Sequence, residues 1–196
     1  MAWVPFAAAP GGGVAATLMT HNNPAPATVP AANRSWVPAV NPYSTRRPMV
    51  PFIGSELAFR GDTRTPAAID LAGGLWAYQA QAVGTGGVAA QRDPHTHQAG
   101  PGNTIYVSFS RDLGVAKGFA FGGYVYLVRI NAGVDYNSFA GGNAMQAEVM
   151  AVQGVRLQDI LAVRNMATNQ ILVNTNFQQA GMQPAVYQNA IQALAG

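Results

Sequence analysis

The chain has 196 residues, 49% of them apolar and 10% charged, which suffices for one folded domain with some length left over. Its formal charge of +3, from 11 basic against 8 acidic residues, is too small to imply nucleic-acid binding by itself, and Arg46-Arg47 is its longest basic cluster. The absence of cysteine excludes disulfides, thiolate catalysis and cysteine-ligated metals, and no apolar run reaches the length of a membrane span.

Residues 1 to 50 are rich in Pro, Ala, Gly and Asn and show no sustained period of 2 or 3.6. The stretch "NNPAPATVPAAN" reads as extended, polyproline-like linker. Trp3, Phe6, Trp36 and Tyr43 are unusual in a pure linker, so parts of this extension are expected to dock on the body. The start lacks the basic n-region of a secretory signal, so export would need a specialised apparatus or a larger parent chain. The compact domain is expected over 51–196.

From there the signals alternate. "SELAFRG" predicts a strand, and "TPAAIDLAGG" a short helix with Thr65 as N-cap, Pro66 in the first turn and Gly73-Gly74 as its stop. Residues 76 to 103 read mostly as loop. "NTIYVSFS" predicts a strand and "RDLGVAKGFAF" a helix with Leu113, Ala116 and Phe119 or Ala120 on one face. "GYVYLVRIN" is a strong strand, and "SFAGGNAM" a loop into the strand "QAEVMAV". "LQDILAVRN" and "QILVNTN" predict two strands around the turn "MATN". In the last segment Tyr187, Ala190, Ile191 and Leu194 recur at i, i+3, i+4 and i+7, an amphipathic helix with Pro184 near its start. The fold class is α+β, dominated by strands in antiparallel or mixed sheets.

Arg60-Gly61-Asp62 matches an adhesive tripeptide, but adhesion needs a protruding turn, and this one lies between a strand and a helix start. More informative are polar groups on otherwise apolar strands, because burying them without partners is costly. Arg60 ends the first strand. Ser108 and Ser110 lie two apart on "YVSFS", and Gln146 and Glu148 two apart on "QAEVMAV", so each pair is expected to share a strand face. A water-facing position on a half-exposed sheet is the plainer reading for each. His95 and His97 in "DPHTHQ" do not make a metal site, with only His21 elsewhere and no Cys.

Taken in order, these segments resemble the cholera-toxin and pertussis-toxin group of mono-ADP-ribosyltransferases. "FRGDTRTPAAIDLAGGL" is similar to the group's first region, Arg-x-Asp-Ser-Arg-x-Pro followed by an apolar position and Gly-Gly-Leu, with Thr63 in place of Ser. "YVSFSRD" resembles its Ser-Thr-Ser region, with Phe109 at the centre, and "MQAEVMAVQGVRLQDI" the strand that ends in Glu-x-Glu-Val. The likeness covers about residues 55 to 165. It implies two roughly perpendicular sheets forming a central NAD cleft, flanked by short helices.

The resemblance also implies roles. Glu148 would be the catalytic carboxylate, stabilising the oxocarbenium-like state formed as the nicotinamide–ribose bond breaks. Ser108 would orient it, with Ser110 assisting, and Arg60 would anchor NAD. Gly61, Asp62 and Arg64 belong to the same NAD-side turn, with Asp62 and Arg64 shaping it or pairing together. One of His95 or His97 lines the nicotinamide pocket in this reading, and a solvated loop position is the alternative for both. Phe119 contacts nicotinamide or packs in the core. Gln146 would face the acceptor, as would Phe139, for which a buried core position is the alternative.

Gln146 departs from the arginine-modifying members, which carry Glu there, since an amide hydrogen-bonds but is no base at neutral pH. Relatives with Gln-x-Glu, among them the Rho-modifying exoenzymes and the pierisin-like toxins, modify an Asn side chain or a guanine base. The implied protein is a bacterial-type toxin or effector, secreted or injected into a target cell and acting in its cytosol. It would use NAD and no metal, modify a host or competitor protein or a nucleic acid, and could have an immunity partner. The alternatives are an NAD glycohydrolase that depletes NAD and a non-enzymatic binding module with the same fold.

Overall fold

A computed structural model describes residues 3–6, 52–53, 55–77, 97, 104–131, 133–136, 147–177 and 182–196. Among these residues eleven strands run β1 (Trp3–Pro5), β2 (Phe52–Ile53), β3 (Glu56–Asp62), β4 (Gly74–Trp76), β5 (Tyr106–Ser110), β6 (Tyr124–Ile130), β7 (Gly133–Asp135), β8 (Glu148–Val152), β9 (Gly154–Arg156), β10 (Ile160–Asn165) and β11 (Ile171–Asn174). Among the described residues three α-helices are seen over their length, α1 (Pro66–Ala72), α2 (Leu113–Ala120) and α3 (Pro184–Ala195). No helix among the described residues is long and apolar enough to cross a membrane.

Nine strands pair antiparallel in the order β1-β11-β10-β6-β3-β5-β8-β7-β2, and β4 with β9 form a separate ribbon. The central strands are buried on both faces, which explains their nearly continuous apolar runs. Leu57 and Phe59 on β3, with Val125 and Leu127 on β6, pack with Leu113, Ala116 and Ala120 of α2 and Tyr187, Ile191 and Leu194 of α3. Ala58, Tyr126 and Val128 belong to a second core that includes Ile69 of α1, Leu75 of β4 and Val155 of β9. The period of 2 along each strand thus feeds two layers at once.

The ladder narrows at one place. β3 and β6 pair over seven positions from Glu56↔Ile130 to Asp62↔Tyr124, and β5 and β8 over five, but β3 meets β5 only at Phe59↔Ser110. The two sheets implied by the resemblance are here joined in one hydrogen-bonded ladder, which is narrowest at this seam.

The local codes read from the sequence hold where they are short-range. Thr65 caps α1 by accepting from the Ala68 amide, Pro66 opens the helix, and Gly73 closes it at φ 71°. Asp112 caps α2 through the amides of Gly114 and Val115. α3 buries Tyr187, Ala190, Ile191 and Leu194 as its period predicts. Arg60-Gly61-Asp62 lies within β3, with Gly61 and Asp62 buried, which is no adhesive loop. β4 is an addition to the expected elements, since Gly74 serves as a helix stop and Trp76 opens a long loop in the sequence pattern. At the start of the chain, Trp3–Pro5 pairs with β11, and Trp3 Nε1 donates to Asp70 Oδ1 at 2.7 Å, tying this segment to α1.

Candidate active site

The seam between β3 and β5 opens into a cleft of about 490 Å³, within the range of small-molecule sites. β3 lines it with Phe59 through Asp62, β5 with Ser108 through Ser110, α2 with Val115, Ala116 and Phe119, and β8 with Glu148; Thr63, His97 and Phe121 complete the wall. Arg60 and Glu148 therefore face one cavity.

Cross-strand register explains how Glu148 and Ser108 meet. Ser110 lies directly opposite Glu148, and Ser108 opposite Met150, so Ser108 and Glu148 are diagonal neighbours. Ser108 Oγ donates to Glu148 Oε1 at 2.6 Å. Glu148 is only 4% exposed. Ser110 shares the Ser108 face and lines the cleft, and its hydroxyl accepts from the Asp112 amide at 3.0 Å, at the entry to α2.

Arg60 reaches the same point from the other half-sheet. Its Nη1 donates to the Ser108 carbonyl at 2.8 Å, its Nε to Asp62 Oδ2 at 3.2 Å, and its guanidinium lies 5.9 Å from the Phe109 ring centroid. Burial lowers its pKa from the ordinary value, against the attraction of Asp62, and an arginine stays charged regardless. Asp62 is the brace. Burial alone would raise its pKa, but the hydrogen bonds from Arg64 and the charge of Arg60 hold it at about 2.

Arg64 forms a two-pronged bridge to Asp62, Nε to Oδ1 at 2.9 Å and Nη2 to Oδ2 at 2.7 Å. It does not line the cleft, so of the two sequence readings its guanidinium follows the pairing one. Tyr126, buried and with its pKa raised mainly by that burial, donates its hydroxyl to the Arg64 carbonyl at 2.7 Å and fixes the turn from below.

His97 joins from outside the strands. Its Nε2 lies 2.7 Å from Ser108 Oγ, its Nδ1 is hydrogen-bonded to Thr104 Oγ1, and its ring meets Tyr106 edge-on at 5.9 Å. At 6% exposed it is no solvated loop residue. Burial first, then the Arg60 charge, push its pKa down to about 4. The unfolded chain takes up this proton near 6.5 and the folded one only near 4. The stability that His97 contributes is therefore complete above about pH 6.5 and is lost as pH falls toward 4. Asp62 repeats the pattern lower, between 3.8 and about 2. Urea melts are expected to show about 2 kcal/mol less stability at pH 5 than at pH 7, and His97→Gln should flatten that segment. A wild-type curve flat between those values would contradict the buried, neutral imidazole.

Phe119 departs from the core-packing reading. Ala120 occupies the buried position on α2, while Phe119 is 52% exposed on the cleft wall. Phe121 follows at φ 47°, a strained conformation for an aromatic residue, and is 81% exposed at the same rim. Sequence reading missed both Phe121 and Thr104, although they lie at the ends of segments read as a helix and a strand.

Of the face expected to be shared by Gln146 and Glu148, only the Glu148 end is described: β8 begins at Glu148, after Ala147 at φ 45°. Gln146 itself, His95, Phe139 and the glycines 141 and 142 lie outside the described residues. Among the described residues no group of three or more His, Cys, Asp or Glu is placed to hold a metal ion.

A buried carboxylate, a hydroxyl bonded to it and a guanidinium can together receive a substrate that bears phosphates at one end and develops positive charge at the other. No protein-family model matches the chain, and no curated protein does. Solved structures do. A guanine-specific ADP-ribosyltransferase is similar over 67% of this chain and 84% of its own, with a TM-score of 0.54 and 22% identity. Scabin toxin from Streptomyces scabies, in complex with NADH, is similar over 67% and 81%, with a TM-score of 0.52 and 24% identity. A guanine-specific ADP-ribosyltransferase with NADH and GDP matches over 67% and 83%, with a TM-score of 0.52 and 22% identity. The nine-stranded antiparallel sheet narrowed at a seam, with its flanking helices, is the ADP-ribosyltransferase fold.

Proposed function

We propose that the protein is an NAD-dependent mono-ADP-ribosyltransferase of the toxin type, with residues 51–196 as its catalytic domain and residues 1–50 as an extension. The observation that carries this reading is the convergence of Arg60, Ser108 and Glu148, from separate strands, on one cleft. Arg60 has the planar set of donors that suits the pyrophosphate of NAD. Phe119, half exposed beside it, offers a ring face for nicotinamide.

In this reading the C1′–N bond to nicotinamide breaks with both electrons going to the leaving ring, which departs neutral. Glu148 stabilises the oxocarbenium charge left on the ribose. Ser108 holds the carboxylate in place. An acceptor nitrogen then donates a lone pair to C1′ and loses its proton. We assign the acceptor to the nucleobase class, guanine first. Gln146 supplies an amide suited to hydrogen-bonding a base edge, and two of the similar structures are of guanine-specific ADP-ribosyltransferases.

The test is incubation with NAD labelled in its ADP-ribose half and a cell lysate, followed by separate protease and nuclease digestion. Label released by nuclease, and label transferred to added GDP, support the assignment. Label released by protease moves the acceptor to a protein. Free ADP-ribose alone makes the protein an NAD glycohydrolase, and no nicotinamide release from a folded sample refutes an enzyme altogether.

A further inference from the structure

We propose that Thr104 is a positioning residue of this site: by donating to His97 Nδ1 it orients the ring so that Nε2 donates to Ser108, leaving the Ser108 proton for Glu148. The kinetic part of this inference rests on the transferase reading above; the hydrogen-bond part does not.

The direction of each bond follows from counting hydrogens. A serine hydroxyl has one proton, and Ser108 gives it to Glu148 Oε1 at 2.6 Å. Ser108 Oγ can then only accept at its 2.7 Å contact with His97, so the ring proton sits on Nε2. The neutral ring has one proton, which leaves Nδ1 as an acceptor. Thr104 Oγ1 is therefore the donor to Nδ1. The chain runs from Thr104 through His97 and Ser108 to Glu148, every hydrogen pointing toward the carboxylate.

Thr104 is suited to this task by position. It lies two residues before β5, is 1% exposed, and so reaches His97 from the strand that carries Ser108. A histidine ring can rotate about its bond to Cβ, and two contacts on opposite nitrogens stop that rotation. Among the described residues the groups facing the ring, besides Thr104, are Arg60 from β3, Tyr106 and Ser108 from β5, and Glu148 from β8 through Ser108. None of these occupies Nδ1. A donor on the Nδ1 lone pair also opposes its protonation, because hydrogen bonding to the neutral form disfavours the charged one. Loss of the Thr104 hydroxyl thus frees the ring to turn and to take up a proton beside Arg60.

The test compares wild type, Thr104→Val, which keeps the shape and removes the hydroxyl, and Thr104→Ser, which restores it. Nitrogen NMR of the histidine rings, with His97 assigned through His97→Gln, reads the first part. The expected wild-type ring is protonated at Nε2, and in Thr104→Val the Nδ1 resonance moves and the titration midpoint rises. Nicotinamide release from NAD reads the second. Its kcat is expected to fall roughly tenfold in Thr104→Val, with KM for NAD unchanged, and to recover in Thr104→Ser. A wild-type ring protonated at Nδ1, an unmoved Nδ1 resonance in Thr104→Val, or a Thr104→Ser enzyme as slow as Thr104→Val overturns the inference. A wild-type protein that releases no nicotinamide overturns the transferase reading instead, and the NMR result still decides the role of Thr104.

Discussion

Glu148→Gln is expected to slow nicotinamide release from NAD by roughly 100- to 1000-fold while leaving NAD affinity within a few-fold of wild type. The substitution preserves size, and its amide oxygen can still accept the Ser108 hydroxyl that lies 2.6 Å from the carboxylate. What it removes is the negative charge. An interaction that grows only as positive charge develops on the ribose affects the barrier more than binding. Release measured by chromatography, with binding measured by calorimetry, separates the two quantities. Turnover close to wild type would remove Glu148 from the chemistry. A large loss of affinity with unchanged kcat would make it a binding group only.

The second large effect concerns the wall of the cleft. At Gly61 an added Cβ would lie 2.1 Å from the Ala116 carbonyl oxygen and 2.4 Å from the Ala120 amide nitrogen, both backbone atoms of α2. No side chain can rotate away to relieve such a contact. Either α2 moves off β3 or β3 bends. Gly61→Ala is expected to cost about 3 kcal/mol, a fall in Tm of about 6–12 °C for a chain of this size. Gly118→Ala on the same helix is the natural comparison. Its Cβ would meet nothing within 4 Å, so the usual preference of a helix for alanine applies and about 0.5–1 kcal/mol of stabilisation is expected. If both variants melted alike, the close approach of α2 to β3 would be refuted. Because α2 carries Phe119 and Ala116 into the cleft, Gly61→Ala should also weaken ligand binding in the fraction that stays folded.

Gly61 illustrates how the adhesion-like tripeptide came to sit here. Arg60 points into the cleft, Gly61 lets a helix approach, and Asp62 braces the arginine with help from Arg64. Each residue answers a separate demand of the cleft, and none protrudes as an adhesive turn would.

The sequence by itself determined what is local. Thr65, Pro66 and Gly73 delimit α1, and the spacing of Tyr187, Ala190, Ile191 and Leu194 marks the buried face of α3, because caps and a 3.6-residue period act within one or two turns. Arg60, Ser108 and Glu148 were legible as polar exceptions on apolar strands, and their order along the chain suggested the fold. Tertiary structure decided which of them touch. Ser108 and Glu148 are 40 residues apart in sequence, and only the register of β5 against β8 makes them diagonal neighbours. It also gave the core position on α2 to Ala120 over Phe119, and brought His97 and Thr104 behind Ser108. Pairing register and helix docking are set by the whole core at once, so no window of sequence contains them.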